Sequence, residues 1–95
     1  MGTNKRVHIL VEGRVQGVGF RYFVKRIAEE NSLTGWVRNR YDDRVEILAQ
    51  GEEEKLTRFI SAVRVGPGSS SVTDLKIEWL EPETKFARFS IAATI

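Results

Sequence analysis

Hydrophobic and polar positions along this chain fall into two alternating rhythms that parse it almost end to end. Val7, Ile9 and Val11 alternate with His8, Leu10 and Glu12, the two-residue period of a strand with one better-buried face. Phe20, Phe23, Val24 and Ile27 then recur at helical spacing with Lys25, Arg26, Glu29 and Glu30 opposite, which predicts a helix from Tyr22 to Asn31. Thr34 to Asn39 reads as a second strand, Arg40 to Asp43 as a turn, and Arg44 to Gln50 as a third strand with Val45, Ile47 and Ala49 on one face. Strands joined by so short a link form an antiparallel hairpin. Gly51 and the acidic run Glu52 to Glu54 open a second helix, whose core stripe is Leu56, Phe59, Ile60 and Val63. Gly66 to Ser71 stops it. Val72 to Leu80 is a fourth strand with Leu75, Ile77 and Trp79 alternating with charge, Glu81 to Thr84 a turn, and Phe86 to Ala93 a short final strand.

The order βαββαβ plus a C-terminal strand is an α+β plan of two βαβ halves around one hairpin, the ferredoxin-like or split-βαβ arrangement. Right-handed crossovers put both helices on one face of an antiparallel sheet. A chain of 95 residues suits one domain over residues 1–95 with a single core. No apolar run approaches the roughly 20 residues that span a bilayer. No signal-peptide pattern opens the chain, and Arg6 stands where an N-myristoylation site needs Ser or Thr. The lack of cysteine excludes disulfides and thiolate chemistry. The expectation is a cytoplasmic monomer without membrane association. Fifteen basic residues face 13 acidic ones, for a net charge of +2. That balance suits a small anionic ligand at least as well as nucleic acid, which tends to require a clustered basic stripe.

The stretch Gly13-Arg14-Val15-Gln16-Gly17-Val18-Gly19-Phe20-Arg21 links the first strand to the first helix. Its glycines allow positive φ and unobstructed N–H groups, and the following helix N-terminus favours anions. Arg21, in the first helical turn, can fold its fork over two phosphate oxygens. The stretch matches neither a Walker A loop nor a dinucleotide fingerprint, because Phe20, Arg21 and Tyr22 stand where those motifs need other residues. Two readings stand at this point, an anion cradle and a merely tight glycine turn. The catalytic inventory is thin: His8 is the lone histidine, no metal-ligand spacing is present, and the acidic residues sit at helix or turn positions. What remains possible is to hold a phosphoryl group, neutralise its charge and position water. Without a general acid, the leaving group must depart unaided. A carboxylate does so, because its conjugate acid has a pKa of about 4, and that chemistry points to an acyl phosphate. Asn39, with donor and acceptor capacity and no charge, is either the holder of that water or the first residue of a turn.

The nonapeptide from Gly13 to Arg21 resembles the first acylphosphatase signature, and Gly35-Trp36-Val37-Arg38-Asn39, with Val45 and Gly51, resembles the second. The resemblance covers nearly the whole chain. It implies a hydrolase of acyl phosphates on a ferredoxin-like fold, independent of metal and cofactor, releasing inorganic phosphate. By position it makes Arg21 the phosphate-binding arginine and Asn39 the water-positioning asparagine. It also makes Gln16, Gly17, Val18, Gly19 and Phe20 a cradle of backbone N–H groups. One departure stands out: Asp43 occupies a hairpin position where the family has glycine, which predicts a strained or remodelled turn. Two other readings remain for comparison, a noncatalytic phosphate-binding module and an RNA-binding module of the same βαββαβ plan. The RNA reading lacks paired stacking aromatics, since His8, Leu10, Glu46 and Leu48 alternate with the core positions of the first and third strands.

Overall fold

The computed structural model describes residues 3–83 and 86–95. Met1 and Gly2, considered above as an acylation signal, lie outside the described residues, as does Thr84 of the expected fourth turn. The elements run β1 (Asn4–Arg14), α1 (Phe20–Glu30), β2 (Thr34–Asn39), β3 (Val45–Glu52), α2 (Glu53–Val65), β4 (Ser71–Leu80) and β5 (Phe89–Ile91). The strands form one five-stranded sheet in the order β4-β1-β3-β2-β5. β3 runs antiparallel to both β1 and β2, so those two are parallel to each other and end on the same side of the sheet. This is the split-βαβ plan expected from the periodicity.

The alternation in β1 and β3 puts Val7, Ile9, Val11, Val45, Ile47 and Ala49 into one core with Val24 and Ala28 of α1 and Leu56, Phe59 and Val63 of α2. Complete burial of these side chains, worth about 1.5–3 kcal/mol for each one larger than alanine, drives the two layers together. Phe59 of α2 meets Phe89 of β5 edge-on with ring centroids 6.2 Å apart, which ties the second helix to the far edge.

The final strand departs from expectation in length and direction. It spans only Phe89–Ile91 and pairs parallel to β2, so the sheet is mixed rather than wholly antiparallel. The path of the chain explains this. After β4, the segment crosses the sheet at the end where β1 begins: Glu83 N–H donates to Gln50 Oε1 at 2.8 Å, and Phe86 covers the Arg6 guanidinium at 5.2 Å. A strand entering from that end must run the same way as β2. Trp79 lies on the core face opposite Val7, as its alternation predicts, but β4 is an edge strand and the indole is 46% exposed.

The face without helices carries a charged cluster that the hydrophobic pattern does not reveal. Glu46, only 7% exposed, accepts from Arg38 Nε at 2.8 Å and sits 2.6 Å from His8 Nε2. Arg38 in turn lies over the Trp36 ring at 4.4 Å. Burial opposes ionisation of Glu46, but the hydrogen bonds from His8 and Arg38 outweigh it and hold the carboxyl below its usual range. The stability this contributes is present above the ordinary carboxylate pKa and is lost as pH falls through the lowered one. Glu46→Gln should therefore cost about 1–2 kcal/mol at pH 7. Urea denaturation should show that gap closing as pH falls below the ordinary carboxylate range and through the lowered pKa of the wild-type carboxyl.

Candidate active site

The site is built where β1 and β2 end together. At the exit of β1 the ladder to β4 shifts register between Glu12 and Gly13, and Gly13 adopts φ 125°. A Cβ there would lie 2.0 Å from the carbonyl oxygen of Ser71, so only glycine lets the chain leave the sheet at this point. Val15 and Phe20 are both 1% exposed and pin the two ends of the loop into the core. Between them, Gly17 and Gly19 take left-handed conformations with φ 73° and 75°.

The backbone N–H groups of Gln16, Gly17, Val18, Gly19 and Phe20 donate to no acceptor among the described residues. Helix α1 begins without a side-chain cap and without an acid in its first turn, and its first backbone bond is Phe23 N–H to Gly19 O at 3.1 Å. The positive end of the helix and the loop donors are thus left without a protein partner together, which is the arrangement an anion cradle requires. Arg21 stands in the same turn, half-buried, with no ion-pair partner among the described residues. A cation there opposes the helix dipole by about 0.3–1 kcal/mol, a cost that an anion in the cradle would reverse.

Asn39 is brought to this loop by register. It pairs with Val45, which pairs with Val11, so its side chain shares the helix-side face about 10 Å across the sheet from the end of β1. Its Oδ1 is buried and has no hydrogen-bond partner. Buried polar atoms are nearly always satisfied, and this one belongs to the last residue of β2, at the end of the sheet where β1 leads into the loop.

Sequence reasoning placed Gln16 in the cradle by its backbone and missed its side chain. The Gln16 amide nitrogen donates to the carbonyl oxygens of Arg40 at 2.8 Å and Arg44 at 2.9 Å, strapping the loop to the β2–β3 hairpin one residue beyond Asn39. A long amide inside a glycine loop was the available signal. The end of the chain supports the same strand, since Ile95 N–H donates to Asn39 O at 3.1 Å and Tyr41 N–H to Ile95 O at 2.8 Å.

The hairpin turn bears out the strain expected at Asp43 but not a remodelling. Asp43 does take positive φ, 71°. The turn is nevertheless closed and regular, with Arg40 N–H to Arg44 O at 2.9 Å and Asp43 N–H to Arg40 O at 3.2 Å. The neighbouring carboxylates do not push it open, because Asp42 accepts from Arg44 Nη2 at 2.7 Å and Arg40 Nε at 3.0 Å. The Arg44 hydrogen bond, ahead of that from Arg40, holds the Asp42 carboxyl far below its usual range. Strain is confined to the backbone of Asp43.

An open cradle of peptide donors and an arginine at the end of a split-βαβ sheet suit a dianionic phosphoryl group, and place the molecule among small phosphohydrolases. Comparison with known proteins narrows this. The family model described as Acylphosphatase matches residues 7–91. An acylphosphatase of Chlorobaculum tepidum is 49% identical over 89 residues, covering 94% of this chain and 97% of its own. One from Bacillus licheniformis is 52% identical over 84 residues, covering 88% and 93%. The crystal structure of acylphosphatase from Bacillus subtilis superposes with a TM-score of 0.90 at 49% identity, covering 93% of this chain and 98% of that one. The chain belongs to the acylphosphatase family, and is an enzyme that hydrolyses acyl phosphates. Neither a noncatalytic anion-binding module nor an RNA-binding module is favoured by these likenesses.

Replacing the strap without changing its bulk, Gln16→Leu, should lower kcat about tenfold or more by freeing the loop from the hairpin, with the fold retained by circular dichroism. Asp43→Gly should raise the unfolding midpoint, by about 0.5 kcal/mol net of the added freedom of the unfolded chain. Thermal denaturation of the pair of proteins checks it.

Proposed function

We propose that hydrolysis takes place in the loop from Gln16 to Phe20, with Arg21 and Asn39 as its catalytic residues and without metal or cofactor. The peptide N–H groups of Gln16, Gly17, Val18, Gly19 and Phe20 and the Arg21 guanidinium hold the phosphoryl oxygens and neutralise the charge spread over them in the transition state. Asn39 Oδ1 accepts a hydrogen bond from a water and turns its lone pair toward phosphorus. The water oxygen bonds to phosphorus in line as the carboxylate oxygen departs with the bonding electrons. Its proton passes to a phosphoryl oxygen of the substrate. The leaving carboxylate needs no acid, and Arg21 with the peptide donors supplies the charge that a metal would otherwise bring.

The observation that carries this reading is the coincidence, at one end of the sheet, of peptide donors, a guanidinium and one buried oxygen that have no partner among the described residues. The buried Asn39 oxygen is costly unless a water completes it, and the more exposed donors and guanidinium stand ready for a phosphate. Every group lies on one chain, so a single chain suffices for turnover. The substrate is a small acyl phosphate met in the cytoplasm, and no nucleic acid takes part: the open face of the sheet presents the His8–Glu46–Arg38 cluster instead of paired aromatics.

The test is hydrolysis of an aryl acyl phosphate in the presence of a chelator. The wild type should turn over fully. Arg21→Ala should lose about 10³-fold or more in kcat/KM. Asn39→Ala should lose about 10²–10³-fold in kcat while still binding inorganic phosphate. Wild-type activity abolished by the chelator would overturn metal independence, and an active Asn39→Ala would remove Asn39 from the mechanism.

A further inference from the structure

In-line attack fixes two directions at once. With Asn39 holding the water, the acyl group departs on the far side of phosphorus from Asn39. Asn39 ends β2, and β1, the strand that delivers the cradle, has β3 and β2 on one side and β4 on the other. Departure away from β2 points toward β4 and the turn that feeds it, residues 66–70. That turn abuts the cradle at both ends. A Cβ added to Gly66 would lie 3.2 Å from Cε2 of Phe20, and the Ser71 carbonyl is the group that Gly13 must clear. The turn is also closed on itself. Ser70 donates to the Pro67 carbonyl oxygen from its N–H at 2.9 Å and from its hydroxyl at 2.6 Å, and Gly66 N–H donates to Ala62 O at 3.0 Å.

Its chemistry differs from that of the rest of the surface. Residues 65–73 carry no charged side chain in a chain that is 29% charged, and they open on Val65, which is 78% exposed. The other exposed large apolar side chains are Tyr22, Tyr41, Trp79 and Ile95. Tyr41 and Ile95 are bonded to the strand end that carries Asn39, on the water's side. Tyr22 rides on α1, which packs over β2 and β5, and Trp79 lies opposite Val7 toward the other end of β1. Val65 alone among them ends α2, the helix that packs over β1, β3 and β4.

We infer that the turn from α2 into β4 is the wall against which the acyl group lies, with Val65 as its specificity-determining contact. The substrate class it selects is acyl phosphates whose acyl group is uncharged and apolar. The inference rests on the water-holding role proposed above for Asn39. An apolar acyl group sheds water against Val65 and the Pro67 ring, whereas a second carboxylate would meet no charged partner in residues 65–73. The cations nearest in the chain serve elsewhere: Arg64 offsets the dipole at the last turn of α2, and Arg14 alternates with the buried Val15 onto the face without helices. The acyl contact is the same before and during bond breaking, so it is expressed in KM and not in kcat.

Kinetics with acetyl, benzoyl and succinyl phosphate on the wild type, Val65→Ser, Val65→Lys and Asn39→Ala test this. Val65→Ser should raise KM for benzoyl phosphate about fivefold, with kcat and both constants for acetyl phosphate unchanged. Its inhibition by inorganic phosphate and its thermal midpoint should match the wild type, which separates a lost acyl contact from damage to the cradle or the fold. Val65→Lys should raise kcat/KM for succinyl phosphate, whose acyl group ends in a second carboxylate, about fivefold. Val65→Ser constants equal to the wild type's, or an equal loss on acetyl and benzoyl phosphate, would overturn the inference. So would a Val65→Lys chain with no gain on succinyl phosphate. In each case an inactive Asn39→Ala leaves the hydrolytic reading standing. Wild-type turnover by Asn39→Ala would remove both, since the side of departure would no longer be fixed.

Discussion

Peptide N–H groups ordinarily find acceptors within the fold, and the rest of this molecule is arranged so that the run from Gln16 to Phe20 finds none among the described residues. Left to itself, such a loop would turn its donors inward or collapse onto a neighbouring carbonyl. It cannot do so here. Val15 and Phe20 are locked in the core at either end, Gly13 fixes the angle at which the chain leaves the sheet, and the Gln16 amide occupies the two hairpin carbonyls nearest to it. The donors are held apart from the groups that would otherwise satisfy them.

The same end of the sheet concentrates departures from the rules that the rest of the chain obeys. Arg21 stands at the positive end of a helix, Gly19 starts that helix without a side-chain cap, and Asn39 keeps a buried oxygen unpaired. Elsewhere the acids Glu53 and Glu54 open α2, Arg64 closes it, and the ion pairs along α1 follow the helical spacing. Departures gathered at one end are the pattern expected of a functional site; Ser32 at φ 57° and the buried, unpaired Arg6 Nη2 are exceptions elsewhere. The strain is small in each instance and is offset by a core in which the large side chains of both helices and the central strands are fully buried.

Much of this was legible in the residues. Period-two runs in β1 and β3 and period-3.6 stripes in both helices depend only on which positions face the core, so the element order and the split-βαβ plan could be read directly. Gly13, Gly17 and Gly19 announced a loop with special backbone geometry, and Arg21 and Asn39 were the residues whose chemistry suited it. What could not be read was whatever depends on partners distant in the chain. Glu46 looks like an outward residue of a strand, and is buried because His8 and Arg38 from two other strands close over it. The Gln16 side chain had no visible partner until the hairpin folded beside it. The direction of β5 was hidden for the same reason, since it is set by where the preceding segment crosses the sheet and not by any pattern within Phe89–Ile91.

On the proposed reading the substrate is held by peptide groups, an arginine and an amide, side chains and peptides that have no proton to exchange across the neutral range. The grip is therefore constant, and what varies with acidity is the guest. A phosphoryl group sheds its second proton near pH 6, so between mildly acid and neutral solution the loop meets first a monoanion and then a dianion. The enzyme leaves the reading of pH to its substrate and keeps its own titrating contact, Glu46, on the opposite face of the sheet, where it bears on whether the fold stands and not on what the loop holds.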